Sequence, residues 1–271
     1  MFFKKEKVLD WRGHEVRCGS CVNVALCREK RCQLKSACMH DRSLDRIEEF
    51  FKNNPELANE YLEHPYFEVR TAAAKFADVF LLTALLNDPD EGVRWNAALR
   101  LPHRFLLRLR EDAHREVRIR VASHLEGEEL LPMMSDPDYY VRQVVARRIG
   151  VPHLRSMMDD PDPEVRRAVA ERIAPEWLAA LADDAEAAVR LEVAKRFTAT
   201  QLLPMRSDPD CRIRHEVAAR VALSALDPMR KDEDAVVREL VEERLSTCKD
   251  SSRREHAVLE MRPSKPEQRR C

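Results

Sequence analysis

The sequence is poor in glycine and in aromatic residues. Only 5 of its 271 residues are glycine, and phenylalanine, tryptophan and tyrosine together make up 6%. Tight turns and phosphate-binding loops depend on glycine, so a nucleotide-binding α/β fold is disfavoured. Charged residues, in contrast, make up 35% of the chain. This composition favours an extended architecture with a large surface per residue.

Long apolar runs are also missing. No segment reaches the roughly 18 consecutive apolar residues of a membrane-spanning helix. The N-terminal residues MFFKKEKVLDW contain no apolar core of a secretory signal. We therefore expect a cytoplasmic protein that does not contact a membrane. No Ser/His/Asp set, phosphate-binding loop or paired carboxylate site stands out, so we do not expect an enzyme.

The net charge of −1 conceals an uneven distribution. Residues 1–42 contain ten Lys/Arg and five Asp/Glu, a net charge of +5. Residues 249–271 contain seven and four, a net charge of +3, which leaves −9 for the residues between. An acidic middle disfavours a protein that wraps around a nucleic-acid backbone.

An internal repeat organises most of the chain. A β-branched residue followed by arginine recurs every 24 residues, without insertion, from Val69-Arg70 to Val237-Arg238. Five positions before each β-branched residue lies an aspartate, except in the first unit, where His64 replaces it. These aspartates are Asp88, Asp112, Asp136, Asp160, Asp184, Asp208 and Asp232. Two columns in phase over eight units indicate a solenoid from about residue 62 to residue 248.

Each repeat is predicted to begin one main α-helix. Asp88-Pro89 and the similar pairs predict an N-cap followed by proline at the first helical position. The helix would then run about a dozen residues, for example from Pro89 to Arg100. The rest of the unit, such as Phe105–Leu109, is too short for a second full helix and predicts a single α or 3₁₀ turn. No segment alternates with a period of two, so we expect no sheet.

Two basic columns run through the repeats. The arginine of each Val-Arg pair falls on the apolar arc of its helix, where a guanidinium needs carboxylate or carbonyl partners. We predict a structural ladder between these arginines and the aspartates, within a repeat or across to its neighbour. A second basic column lies six residues after the first, in the last turn of each predicted helix, where the helix dipole favours cations. The alternative is a basic stripe that binds an acidic partner or phosphates. Its members are Arg100, His124, Arg148, Arg172, Arg196, Arg220 and Arg244.

Five of the eight cysteines precede the first repeat. They are Cys18, Cys21, Cys27, Cys32 and Cys38. Without a secretory signal, this density favours a metal site over disulfides, with four ligands and one spare thiol. Structural zinc sites usually pair two knuckles, and only one CxxC pair is present. The spacing therefore favours an iron–sulfur cluster over zinc, although it fits neither common ferredoxin pattern. His14 and His40 flank the set as alternative ligands or as surface residues.

These features together resemble a known family. The chain resembles leucine-rich repeat variant proteins with an N-terminal [4Fe–4S] module. The resemblance lies in the repeat core D-P-x-x-x-V-R, the five cysteines, the segment from Asp10 to His14 (DWRGH) and Asp41-Arg42. The resemblance covers roughly residues 8–248. It implies an all-α fold, a right-handed superhelical solenoid of alternating α- and 3₁₀-helices. It also implies a cluster held by four of the five cysteines, with Cys18, Cys21 and Cys38 the first choices.

The sequence divides into three parts. Residues 1–48 form the cluster module, 49–248 the repeat solenoid, and 249–271 a disordered tail rich in Arg, Ser and Pro. The extended surface of a solenoid favours a monomeric interaction scaffold that binds a protein partner, such as a redox protein. The resemblance implies that its cluster transfers electrons or senses redox state in connection with nitrogen fixation. A nucleic-acid-binding repeat protein with a structural zinc or iron–sulfur module is the alternative.

Overall fold

The structure, a computed structural model, describes residues 7–260, and their side chains as far as residue 247. These residues fall into two compact units, one ending at Val145 and the other beginning at Ala146. Both units are helical. Two isolated β-bridges near the N-terminus are the only β pairing in the described part of the chain.

The α- and 3₁₀-helices alternate along the repeats, as the length of the unit predicts. The α-helices are α1 (Val24–Arg28), α2 (Leu44–Asn53), α3 (Phe67–Ala74), α4 (Glu91–Arg100), α5 (His103–Arg108), α6 (Arg115–His124), α7 (Tyr139–Arg148), α8 (Pro163–Arg172), α9 (Pro175–Leu178), α10 (Ala187–Arg196), α11 (Cys211–Arg220) and α12 (Ala235–Glu260). The 3₁₀-helices are η1 (Cys18–Ser20), η2 (Pro55–Tyr61), η3 (Val79–Asn87), η4 (Leu109–Glu111), η5 (Gly127–Ser135), η6 (Val151–Met157), η7 (Ala179–Leu181), η8 (Leu203–Ser207), η9 (Leu223–Ala225) and η10 (Asp227–Lys231).

The main helix of each repeat begins later than the sequence predicts. Asp88 and Pro89 do not cap α4. The N-cap is Asp90, whose carboxylate accepts from two backbone N–H groups of the first turn at 3.0 and 3.1 Å. Asp88 instead accepts from the N–H of Asp90 at 2.9 Å and forms a tight turn ahead of the helix. Asp162 and Asp210 cap α8 and α11 in the same way. In these repeats one acidic position forms the turn and another caps the helix, whereas α6 and α10 have no side-chain cap.

The predicted ladder of buried ion pairs is confirmed, and it joins consecutive repeats. Arg94 donates to both carboxylate oxygens of Asp112, 18 residues later, at 2.7 and 2.6 Å. It also donates to the backbone carbonyl of Asp88, in its own repeat, at 2.7 Å. The same bidentate pairs are Arg70–Asp88, Arg118–Asp136, Arg166–Asp184, Arg190–Asp208 and Arg214–Asp232. Each of these arginines therefore binds the carboxylate of the aspartate in the following repeat and the backbone carbonyl of the aspartate position in its own repeat.

His64 takes over part of the aspartate's role in the first repeat. Its Nδ1 accepts the turn hydrogen bond from the N–H of Tyr66 at 3.1 Å, and its carbonyl accepts from Arg70 at 2.8 Å. Burial lowers the pKa of His64, which favours the neutral imidazole. The residue 18 positions earlier is Arg46, which pairs with Asp41 at 3.1 Å. An aspartate at position 64 would therefore lack its guanidinium.

The second basic column caps the preceding helix. Arg196 donates to the carbonyls of Ala170 and Ile173, at and just beyond the end of α8, at 2.7 and 2.6 Å. Arg100, Arg172, Arg220 and Arg244 donate to the equivalent carbonyls one repeat earlier. His124 differs, because its ring packs edge-on against Trp95 at a centroid distance of 4.8 Å. A helix leaves its last carbonyls without intrahelical donors, so these arginines supply missing hydrogen bonds across the repeat boundary.

The last helix extends beyond the predicted end of the repeats. α12 ends at Glu260, whereas the sequence predicts a disordered tail from residue 249. Residues 249–260 contain no proline and only helix-compatible residues, so nothing in them ends the helix. The rest of the predicted tail, 261–271, lies outside the described residues. Among the helices that the structure describes, none is long and apolar enough to cross a membrane.

The ladder makes the fold sensitive to acid. Hydrogen bonds from Arg214 lower the pKa of Asp232 against the opposing effect of burial. The pKa of Asp112 is also lowered, because its hydrogen bonds outweigh burial. A carboxylate whose pKa is lower in the folded state than in the unfolded state stabilises the fold at pH values above its unfolded-state pKa. This contribution is lost as the pH falls through the folded-state pKa. We expect the free energy of unfolding in urea to decline from about pH 5 downwards. A constant value down to pH 2 would contradict the ladder's role.

Candidate metal centre

A tight turn precedes the first cysteine. Gly13 has a φ of +86°, a left-handed conformation that glycine adopts without strain. The Asp10 carboxylate holds the turn by accepting from two backbone N–H groups at 2.9 and 2.8 Å. Trp11, within the turn, stacks on Tyr66 with the ring planes 6° apart. The Asp-Trp-x-Gly segment therefore anchors the cysteine module to the first repeat.

All five predicted cysteines come together in one module. The thiol of Cys18 interacts with those of Cys21, Cys27 and Cys38. The thiol of Cys32 interacts with those of Cys38, Cys21 and Cys18. Cys32 and Cys38 are buried, whereas the other three are partly exposed, and all five are free thiols. The arrangement gathers the candidate ligands but does not separate four of them from a fifth.

The module favours thiolate at its buried end. The interaction between the Cys32 and Cys38 thiols raises the pKa of Cys32 and lowers the pKa of Cys38 to about 7. The backbone N–H groups of His40 and Asp41 also stabilise the Cys38 thiolate. Burial raises the pKa of Cys18, with a further contribution from Cys27. The thiolate is the form that binds metal, so Cys38 stays a candidate ligand.

Asp41 connects the buried thiol to the repeats. This carboxylate is 2% exposed and accepts from the N–H of Ser43 and from Arg46, both at 3.1 Å. The N–H of Cys38 in turn donates to the carbonyl of Arg46, in α2, at 3.0 Å. Helix α2 buries Ile47, Phe50 and Phe51 completely, and it packs against α3. The position of Cys38 is thus fixed by the helix that covers the first repeat.

The two flanking histidines lie differently. His14 has a largely exposed side chain, 3.6 Å from Asp10, which agrees with a surface residue. His40 is partly buried, and burial lowers its pKa. Its described contact with the cysteines is made by its backbone N–H.

Hydrogen-bond donors near the sulfur atoms fit an iron–sulfur cluster. The N–H of Asn23 donates to Cys21 Sγ at 3.4 Å. The side-chain Nδ2 of Asn23 is buried and has no hydrogen-bond partner. N–H donors to sulfur are characteristic of iron–sulfur sites, where they tune the cluster. The sequence pattern of cysteines gave no reason to select Asn23. Within residues 7–247, whose side chains the structure describes, no group of three or more His, Cys, Asp or Glu side chains is arranged around a position for a metal ion.

Two family models match the chain. The model of the "LRV protein FeS4 cluster" matches residues 8–60, which include the turn, all five cysteines and α2. The HEAT repeat model matches residues 151–175, a single stretch of η6 and α8. A curated relative, an uncharacterised 27.7 kDa protein from the nifB 3′ region of Rhodobacter capsulatus, is 51% identical over 94 residues. The matched part is 35% of this chain and 38% of that protein.

A solved structure matches most of the chain. It is described as a leucine-rich repeat variant with a novel repetitive structural motif, and it is 38% identical with a TM-score of 0.79. The match covers 84% of this chain and 97% of the solved chain. This confirms the predicted fold class, a helical solenoid in which α- and 3₁₀-helices alternate. The chain therefore belongs to the leucine-rich repeat variant family, and its N-terminal part matches that family's iron–sulfur cluster model.

Proposed function

We propose that the protein is an interaction scaffold whose N-terminal module holds a [4Fe–4S] cluster for electron transfer or redox sensing. The observation that carries the proposal is the gathering of five thiols, with N–H donors at two of the sulfurs. Four of Cys18, Cys21, Cys27, Cys32 and Cys38 would supply the ligands, with Cys18, Cys21 and Cys38 the first choices. A bound cluster supplies reversible one-electron chemistry.

The donor set suits a cluster better than zinc. Zinc requires its four ligands to converge on one ion, each sulfur at about 2.3 Å. A cubane instead takes one thiolate on each of four irons, so its ligands surround a larger body. Structural zinc sites usually pair two knuckles, whereas the module contains one CxxC pair, Cys18 and Cys21.

Charge indicates where a partner would bind. The partly exposed thiols Cys18, Cys21 and Cys27 lie in a region with a net charge of +5 over residues 1–42. An acidic redox protein would be attracted to this region and repelled by the acidic repeats. The nifB-region relative is consistent with a role in cells that fix nitrogen. We also propose that the protein acts in the cytoplasm.

Nucleic-acid binding is the alternative. It would use the second basic column, the basic N-terminal module and the basic C-terminal residues. Arg100, Arg172, Arg196, Arg220 and Arg244 donate to backbone carbonyls of the preceding repeat. Guanidinium groups used in this way leave fewer donors for phosphate. A protein partner for the solenoid surface is therefore the better-supported proposal.

Iron analysis of the full chain tests the proposal. After anaerobic reconstitution, we expect about four irons and four sulfides per chain, and a broad absorbance near about 400 nm that fades on reduction. One zinc and no iron would overturn the cluster. A fully loaded cluster that dithionite cannot reduce would overturn the redox role. Binding of an acidic one-electron carrier should weaken as salt rises, and salt-independent binding would overturn the charge argument.

A further inference from the structure

Asn23 occupies a helix N-cap position but does not cap the helix. It precedes α1, and an asparagine there normally accepts a hydrogen bond from the first turn through its side chain. No such bond is made. Its backbone lies between two of the candidate ligands. The N–H donates to Cys21 Sγ at 3.4 Å, and the carbonyl accepts from the N–H of Cys27 at 3.3 Å.

The side chain of Asn23 is buried with its amide nitrogen unsatisfied. The residue is 9% exposed, and Nδ2 has no hydrogen-bond partner. Among the described residues, the other buried side-chain atoms without partners are Asn54 Oδ1, Glu68 Oε2 and His114 Nδ1. Each of those can be an acceptor, whereas an amide nitrogen can only donate. A buried donor without an acceptor is destabilising, so a buried amide nitrogen at this position calls for an acceptor.

We infer that the Asn23 amide donates a hydrogen bond to a sulfur atom of the cluster, and that it acts as a positioning residue that tunes the cluster. This inference rests on the proposed function. Sulfur is the acceptor that the surroundings offer, because Asn23 lies between Cys21 and Cys27 in the chain and contacts both through its backbone. A donor to sulfur stabilises the extra negative charge of the reduced cluster, and so raises its reduction potential.

Three variants of the full-length, anaerobically reconstituted protein test the inference. Asn23→Leu keeps the volume and removes the donor, and Asn23→Ser restores a donor. Gln33→Leu is the control, because it removes an exposed amide from the same module. We expect Asn23→Leu to bind as much iron as the wild type but to have a more negative midpoint potential. Asn23→Ser should recover part of the shift, and Gln33→Leu should show none.

The stability of iron-free protein supplies a second measurement. In the apoprotein the amide has no acceptor, so Asn23→Leu should be as stable as the wild type or more stable. In the loaded protein the same change should speed the loss of iron in air. Equal potentials and equal rates of iron loss for the wild type and Asn23→Leu would overturn the inference. If the wild type itself binds no iron, the proposed function fails first, and iron content distinguishes the two failures.

Discussion

Replacing Cys38 by serine is expected to reduce the iron content from about four atoms per chain to less than one. Cys38 is 2% exposed, its thiolate is stabilised by two backbone N–H groups, and its own N–H donates to α2. Serine offers a hydroxyl in place of a thiolate, and a hydroxyl is a far weaker ligand for iron. We expect the same loss for Cys18→Ser and Cys21→Ser. Iron and sulfide analysis after reconstitution measures the effect.

The control for this prediction is Cys211→Ser, which removes an exposed thiol at the start of α11 and should keep all the iron. Of Cys27→Ser and Cys32→Ser, one should retain the cluster, because five thiols serve four irons. Circular dichroism of each apoprotein distinguishes loss of a ligand from failure to fold. Full iron loading in all five single variants would contradict the assignment of these cysteines as ligands.

Replacing Arg214 by methionine is expected to destabilise the fold by about 3 to 5 kcal/mol. The side chains of Arg214 and Asp232 are each only 6% exposed, and two hydrogen bonds join them at 2.8 and 2.9 Å. Methionine removes the guanidinium and leaves the buried carboxylate without its cation. Asp208 also loses the donor to its carbonyl. Urea unfolding followed by circular dichroism measures the change.

The same helix provides a matched control. Arg212, two residues earlier, forms an ion pair with Asp210 at 2.7 Å, but its side chain is 61% exposed. Because solvent screens this pair, Arg212→Met should cost no more than about 1 kcal/mol. Adding Asp232→Asn to Arg214→Met should recover part of the stability, since asparagine keeps the turn acceptor without the charge. Equal losses for Arg214→Met and Arg212→Met would show that burial does not decide the energy of these pairs.

The fold could be predicted well from the sequence, because a strict 24-residue period indicates that the same positions are buried in every repeat. Every repeat must bury the same face against its neighbours, so Val93, Ala97 and Ala98, which share an arc of the helical wheel, are all buried. The 24-residue period also excludes two full helices, and this predicted the 3₁₀ segments correctly. The Arg94–Asp112 pair was predicted as part of a ladder, because a guanidinium on an apolar arc requires partners.

Other features could not be predicted from the spacing alone. From the sequence alone, Asp88 and Asp90 are equally good candidates for the N-cap. The structure selects Asp90, because the Asp88 carboxylate is paired with Arg70 of the preceding repeat. The acceptors of Arg196 are carbonyls, which are present at every residue and leave no pattern. The position of Asn23 became informative only when its amide was found buried without a partner. Irregular segments lack the redundancy that makes a repeat predictable.

The 18-residue span between each arginine and its aspartate constrains how the gene can change length. Loss or duplication of 24 residues within the array keeps each of these arginines opposite a carboxylate, as in the pairs Arg70–Asp88, Arg94–Asp112 and Arg118–Asp136. An insertion of any other length within a span would separate one pair and bury two unmatched charges. We therefore expect the length of the array to change by complete 24-residue repeats. In the first repeat His64 takes the place of the aspartate, and burial favours its neutral imidazole.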